Sequence, residues 1–297
     1  MDKKNTNDIC ISSEYHELKN ILSTFSLNSF NMPSEVSRYK DALSIDSLFS
    51  DLAVDKQNNN HNELKRTVTA SSQDKPFEPE YADLCRLHFL TLTRKPINLL
   101  EFGSGYSTLI LANAMQILSQ SFSDFSHDNF RADKHFHVYS IEEEQRFLDI
   151  TQARLSDELA PHVSLSRSSV ELIEYDHRFA TIYTKLPNIA PDLIYLDGPS
   201  QFGSTSEING FSMADQCRMP MSADILRFEF FLEPGTLILV DGRTANARFL
   251  KAYLKRNWAY FFDETGDVHY FELQEAPLGK INAKKLQFCL NNNWLIK

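Results

Sequence analysis

Four acidic side chains, Glu101, Glu142, Asp197 and Asp241, stand at the carboxyl ends of apolar runs, and the first opens onto a glycine-rich turn. In the stretch 98–112, NLLEFGSGYSTLILA, the apolar residues before Glu101 suit a buried parallel strand. Gly103 and Gly105 let the backbone turn sharply and approach a ligand closely, with Ser104 between them. Ser107 and Thr108 can cap a helix whose apolar positions Leu109, Leu111, Ala112 and Met115 follow. Strand, loop and helix in that order place a ligand at the carboxyl edge of an α/β sheet. A carboxylate at Glu101 suits a cationic group, because it accepts a hydrogen bond from an ammonium and partly neutralises it. The competing explanation is a tight turn that merely closes a βα unit.

The elements that must hold these residues follow from period and punctuation. Tyr81, Leu84, Cys85, His88, Phe89 and Leu92 recur at helical spacing, between Pro79 and Pro96. After the glycine loop and its helix, the polar, phenylalanine-dotted segment 119–134 reads as an insertion before a second strand at 135–141. A helix over 145–159, stopped by Pro161, precedes a short strand at 163–166. Apolar runs at 192–196 and 236–240 then end in Asp197-Gly198-Pro199 and Asp241-Gly242. Repeated alternation of apolar strand and helix predicts a parallel sheet covered on both faces, whose strand ends share one rim.

The spelling of the loop selects among cofactors. A dinucleotide fingerprint needs a third glycine three residues after Gly105, where Thr108 stands. Glu-x-Gly-x-Gly-x-Ser instead resembles motif I of the class I S-adenosylmethionine-dependent methyltransferases, with Ser107 where that family usually has another small residue. The resemblance extends over roughly 76–273. It implies a Rossmann-like fold with a seven-stranded, mostly parallel sheet and an antiparallel final hairpin, for which 260–262 and 268–273 are the candidates. It also implies S-adenosylmethionine as cofactor. Glu101, Gly103, Ser104, Gly105 and Ser107 would form its loop, and Glu142, in YSIEEEQ, would take both ribose hydroxyls, as two oxygens with four acceptor sites allow. Glu143 and Glu144 are alternatives, and all three acids also suit the first turn of a helix. Arg167, Ser168 and Ser169 fall where the family contacts adenine.

Asp197 is expected at the pocket rim, where it can contact the cofactor amine, position substrate or take a proton; a turn-forming Asp before Gly-Pro is the plainer alternative. Asp241 is the second candidate catalytic residue. In the catechol-type O-methyltransferases, acids at these two strand ends bind a divalent cation, aided by an asparagine directly after the second. Gly242 follows Asp241 here and the nearest asparagine is Asn246. No metal is therefore expected, although Asp197 and Asp241 would be the pair to hold Mg²⁺ or Ca²⁺. Arg243, in the loop after Asp241, is a candidate grip for an anionic substrate, and the polar connection 200–221 resembles a variable substrate-side loop.

The chain of 297 residues carries 40 acids and 30 bases, a formal charge of −10 that disfavours broad contact with nucleic acid or an anionic membrane. Cys10, Cys85, Cys217 and Cys289 lie far apart, without metal-binding or secreted-domain spacing, and reduced thiols in a cytoplasm are expected. Neither a signal peptide nor a membrane span is expected. Residues 1–75 read as a polar, partly helical extension, with apolar periodicity at Leu18, Ile21, Leu22, Phe25 and at Ile45, Leu48, Phe49, Leu52, and a solvated linker at 57–62. Residues 76–297 read as the α/β domain. The combined expectation is a cytoplasmic enzyme that methylates an oxygen or nitrogen of a small, anionic acceptor. A nucleotide-dependent oxidoreductase of the NAD(P) type and a non-catalytic binding or scaffold protein are the alternatives, because fold is not function.

Overall fold

The computed structural model describes residues 13–49, 79–204, 206–215, 217–291 and 293–296. Leu52, the linker expected at 57–62 and the boundary near Ser72 lie outside these residues. The chain begins with helices α1 (Ser13–Leu22) and α2 (Pro33–Leu43), each followed by or preceding a 3-10 turn, Leu27–Asn31 and Ile45–Phe49. Helix α3 (Tyr81–Arg94) then feeds strand β1 (Asn98–Phe102), and α4 (Tyr106–Asn129) leads to β2 (His137–Glu142). Helix α5 (Gln145–Arg154) precedes β3 (Val163–Arg167), and an antiparallel pair, β4 (Val170–Tyr175) and β5 (Arg178–Tyr183), comes before β6 (Leu193–Leu196). A two-residue pair, β7 (Glu207–Ile208) and β8 (Phe211–Ser212), and the short α6 (Asp224–Phe228) precede β9 (Leu237–Asp241). Helix α7 (Thr244–Tyr253), the hairpin β10 (Trp258–Asp263) and β11 (Val268–Leu273), and α8 (Lys280–Leu290) complete the order.

Seven strands form one sheet in the order β10-β11-β9-β6-β1-β2-β3. All neighbours are parallel except β11, which runs antiparallel to both β9 and β10. This is the Rossmann-like arrangement of class I methyltransferases, with the expected closing hairpin. Every residue of β1, β6 and β11 is buried, and the central parallel strand β6 accordingly reads as an apolar run rather than an alternating one. Leu99, Leu193 and Leu239 point into one core with α3 and α4, while Leu100, Ile194 and Val240 point into the other, with α6 and α7.

Two features depart from the expected course. The segment 119–134 is no loop insertion for most of its length, because α4 runs on to Asn129. Met115, Leu118 and Phe122 extend its buried stripe, and Phe122 and Phe125 meet Phe288 of α8 with ring centroids 5.2 and 5.3 Å apart. Serines interrupt the apolar pattern, among them Ser126, which is itself buried, and this conceals the period. The β4–β5 hairpin, unforeseen, occupies the connection between β3 and β6. The N-terminal helices are also joined to the main core, since Phe30, Tyr39, Ile45 and Phe49 are buried within it. The Tyr39 hydroxyl meets His88 Nδ1 at 2.9 Å, and His88 Nε2 meets Asn113 Oδ1 at 3.0 Å, tying α2 through α3 to α4. Burial holds the His88 pKa down to about 4, so this link is a neutral one.

Candidate functional site

The site is built where the carboxyl ends of β1, β2, β6 and β9 meet their loops. Gly103 adopts φ 92°, and a Cβ there would stand 3.2 Å from the Asp197 carbonyl oxygen, so both conformation and the passing chain require glycine. Its N–H donates to the Ile141 carbonyl at 2.9 Å, and the Asp197 N–H donates to Phe102 at 3.0 Å, stitching the loop to β2 and to the end of β6. Gly105 differs. It is extended, and no neighbouring atom lies within 4 Å of the position a Cβ would take.

Glu101 turns inward rather than toward the rim. It is fully buried, and its two oxygens accept from Ser107 Oγ and Thr108 Oγ1, both at 2.6 Å. Thr108 Oγ1 also accepts from the Gly105 N–H at 3.0 Å. The two hydroxyls expected to cap the helix therefore anchor its start to the Glu101 carboxylate, and contact of Glu101 with a cofactor ammonium would require these bonds to be exchanged. Burial pushes the Glu101 carboxyl up to about 7, against the pull of its hydroxyl donors.

That shift has a measurable sign. The native state retains a proton that the unfolded chain releases near the ordinary 4.5, so the stabilisation is complete below that pH and lost as pH rises through about 7. Paired urea unfolding of wild type and Glu101→Gln between about pH 4.5 and 8 should show wild type losing on the order of 3 kcal/mol relative to the variant. Parallel pH profiles for the two proteins would mean that Glu101 titrates normally.

Glu142 is brought to the loop as expected from its place at the end of β2. Its Oε2 accepts from the Ser104 N–H at 2.9 Å and from Ser104 Oγ at 3.2 Å, while Oε1 accepts from the Glu144 N–H at 2.9 Å. Glu143 is equally buried; its Oε1 accepts from the Ser200 N–H at 2.6 Å and its Oε2 has no partner. Burial lifts the Glu143 carboxyl to about 7. Glu144 lies outside this pair, as the N-cap residue of α5, bonded to Arg146. Ser168 is buried and accepts the Lys185 N–H at 2.8 Å, which braces the start of β4 against the end of β5. Arg167 reaches the Glu143 carbonyl at 3.4 Å.

Asp197 and Asp241 come next in line after the register pair Leu196↔Val240 on adjacent strands. They differ in surroundings. The Asp197 side chain is 52% exposed and accepts from Arg243 Nε at 3.3 Å. Asp241 accepts from the Tyr195 hydroxyl at 2.6 Å, and burial, with the charges of Asp197 and Asp83, pushes its carboxyl up to about 7. Arg243 is turned away from the role expected of it. Its other two donors bind the Asp197 and Pro199 carbonyls, so the side chain straps the loop after β6 instead of presenting a free charge to an anion. Asn246 is likewise remote from the acids: buried, it exchanges bonds with the Ser222 backbone at 3.1 and 3.3 Å. Among the described residues, no three His, Cys, Asp or Glu side chains converge in a way that could hold a metal ion.

Beside Asp241 lies a cavity of about 530 Å³ that the sequence did not reveal. Phe30, Pro33 and Val36 from the N-terminal segment, Asp83 and Arg86 of α3, and Gly242 and Asp267 all contribute to its lining. Asn31 closes the seam by accepting from Arg86 Nη2 at 3.0 Å and donating to Asp263 Oδ2 at 3.5 Å. The hidden partners were the N-terminal helices and Tyr195. The second had a signal, because Tyr195 is a polar-tipped residue in an otherwise aliphatic strand.

The strand order and the antiparallel closing hairpin give the chain the Rossmann-like fold of the class I methyltransferases. Among solved structures similar to it are the O-methyltransferase TomG from Streptomyces achromogenes in complex with SAM, at 16% identity over 69% of this chain and 86% of that one, with a TM-score of 0.38. An O-methyltransferase from Bacillus cereus in complex with SAH is similar at 12% identity, covering 68% and 86%, with a TM-score of 0.37. The SAH-bound Podospora anserina methyltransferase PaMTH1 is similar at 11% identity, covering 93% and 99%, with a TM-score of 0.39. No family model matches the sequence, and no curated protein matches it.

Proposed function

We propose that this chain is an enzyme that transfers a methyl group from S-adenosylmethionine to an oxygen or nitrogen of a small acceptor. The observation that carries this reading is the joining of the glycine loop to Glu142 through Ser104, at a strand-end rim that also presents Asp197 and Asp241. The residues fit an adenosyl cofactor in two respects. Open space adjoins Gly105, and unused acceptor capacity remains at the end of β2, on Glu143 Oε2 and on the second lone pair of Glu142 Oε1. Gly103, Ser104 and Gly105 would hold the methionyl end and Glu142 the ribose, while Glu101 and Ser107 shape the loop; Ser168 stands at the adenine side. When bound, the cofactor supplies a methyl made electrophilic by its sulfonium. The chain's part is alignment, together with proton removal from the acceptor by Asp241, whose carboxyl sits close to neutrality.

We place the protein in the cytoplasm. Cys85, Cys217 and Cys289 are unpaired, and no helix among the described residues is long and apolar enough to cross a membrane. We also keep 1–75 as an extension distinct in sequence from the α/β domain 76–297, docked on it through Phe30 and Tyr39. Calorimetric titration of the full chain with S-adenosylmethionine, S-adenosylhomocysteine and NAD tests the cofactor. The first two should bind at micromolar concentrations or tighter, about −8 kcal/mol, with no heat from NAD. Preference for NAD would transfer the site to oxidoreductase chemistry, and binding without labelled-methyl transfer to any acceptor would favour a scaffold.

A further inference from the structure

The cavity beside Asp241 has a chemistry of its own. Among the described residues its lining acids Asp83, Asp241 and Asp267 face one base, Arg86, which is already paired with Asp83. Arg243, the nearest cation on the rim, is committed to the loop after β6. Among the described residues an anionic ligand would find no free positive charge lining the cavity, whereas a cation would be stabilised by the carboxylates of Asp241 and Asp267. A second observation is independent of those acids. Arg86 is 2% exposed and lines the cavity, yet its Nε has no hydrogen-bond partner. A buried donor left unmatched costs free energy that a ligand oxygen in the cavity would recover. Phe30, Pro33 and Val36 add apolar surface to the same lining.

We propose that the methyl acceptor is a small hydroxylated amine bound as a cation in this cavity, its apolar body against Phe30 and Val36, its ammonium among Asp241 and Asp267, and its hydroxyl at Arg86 Nε. The ammonium would give one proton to Asp241, and the amine lone pair so freed would form the new N–CH₃ bond as the S–CH₃ bond breaks and the thioether leaves. Its role as acceptor rests on the methyl-transfer reading, while the binding itself stands apart from that reading. The N-terminal segment thereby gains a function, since Phe30, Pro33 and Val36 select the acceptor's body. The sequence, judged from Arg243 alone, suggests the opposite charge.

Three probes that share a 4-hydroxyphenethyl body separate the possibilities: tyramine, 2-(4-hydroxyphenyl)ethanol and 3-(4-hydroxyphenyl)propionate, titrated into the full chain with and without S-adenosylhomocysteine. Tyramine should bind at least about tenfold more tightly than the alcohol, and the propionate should not bind. Asp267→Asn, an exposed change, should shrink the preference for tyramine over the alcohol by about threefold. Val36→Trp, checked for an unchanged melting temperature, should abolish tyramine binding and leave that of S-adenosylhomocysteine intact. Equal binding of amine and alcohol, preference for the propionate, binding of none of the three, or wild-type tyramine binding by Val36→Trp would each overturn the proposal. Failure of the cofactor reading is seen separately, as no binding of S-adenosylhomocysteine in the same titrations.

Discussion

Gly105→Asn weakens S-adenosylhomocysteine binding by about 100-fold or more, equivalent to about 2.7 kcal/mol, while the melting temperature stays at or above that of wild type. The two halves of this result have different physical origins. Gly105 is the N-cap of α4 in an extended conformation open to any residue, and no neighbouring atom crowds its Cβ position. Asparagine is among the best N-cap residues, so the fold does not suffer. Its side chain, however, projects from the loop into the space assigned to the cofactor. Gly103→Ala supplies the contrast. At φ 92° and with the Asp197 carbonyl 3.2 Å from the new Cβ, it should destabilise by about 1–2 kcal/mol. Differential scanning calorimetry and cofactor titration on both variants check the pair. Wild-type binding by a folded Gly105→Asn would remove the loop from the cofactor site altogether.

The same glycines show what a sequence conveys and what it hides. The GSG spelling and the acidic strand ends were legible because a parallel strand buried on both faces must be apolar throughout, which makes its polar terminus conspicuous, as at Asp197 and Asp241. Gly103 and Gly105 look alike in the sequence, yet only the first is required by backbone conformation. Side-chain partners were less legible. Arg243 reads as a free loop cation, and nothing local announces that Asp197, 46 residues earlier, holds it. Glu101 reads as a rim carboxylate until Ser107 and Thr108 are seen to occupy both its oxygens.

Longer-range features were hidden for other reasons. The β4–β5 pair has alternating residues, but its turn places Asp176 and His177 at positive φ, without the glycine that usually marks such a hairpin. The docking of the N-terminal segment depends on a buried Tyr39–His88 contact between residues 49 apart, which no periodicity encodes. The acceptor cavity therefore became visible only once the chain was folded.

Asp241→Asn should lower the rate of methyl transfer by about 10²–10⁴-fold with cofactor affinity unchanged, the effect expected when a general base is removed. Asp241 is singled out over Asp197 by environment. Burial raises the Asp197 carboxyl too, but the charge and hydrogen bond of Arg243 oppose that rise and tie the group to the loop after β6, whereas no such cation among the described residues is bonded to Asp241. Asp241 is raised to about 7 by burial first, then by the charges of Asp197 and Asp83. Near neutrality it is both ionised enough to accept a proton from the acceptor and basic enough to hold it. With labelled S-adenosylmethionine and tyramine, kcat/KM for wild type should rise with pH and level off above about 7, as the carboxyl loses its proton. The rising limb should disappear in Asp241→Asn. Tyr195→Phe supplies the reciprocal check. The Tyr195 hydroxyl donates to Asp241 at 2.6 Å and favours its ionised form, so removing that bond should move the limb to higher pH while leaving a measurable plateau. A rate that survives Asp241→Asn with the limb in place would assign the proton to another group and leave Asp241 as a binding carboxylate. An unmoved limb in Tyr195→Phe, beside a lost one in Asp241→Asn, would mean that burial and the neighbouring carboxylates, not the Tyr195 bond, set the carboxyl's basicity.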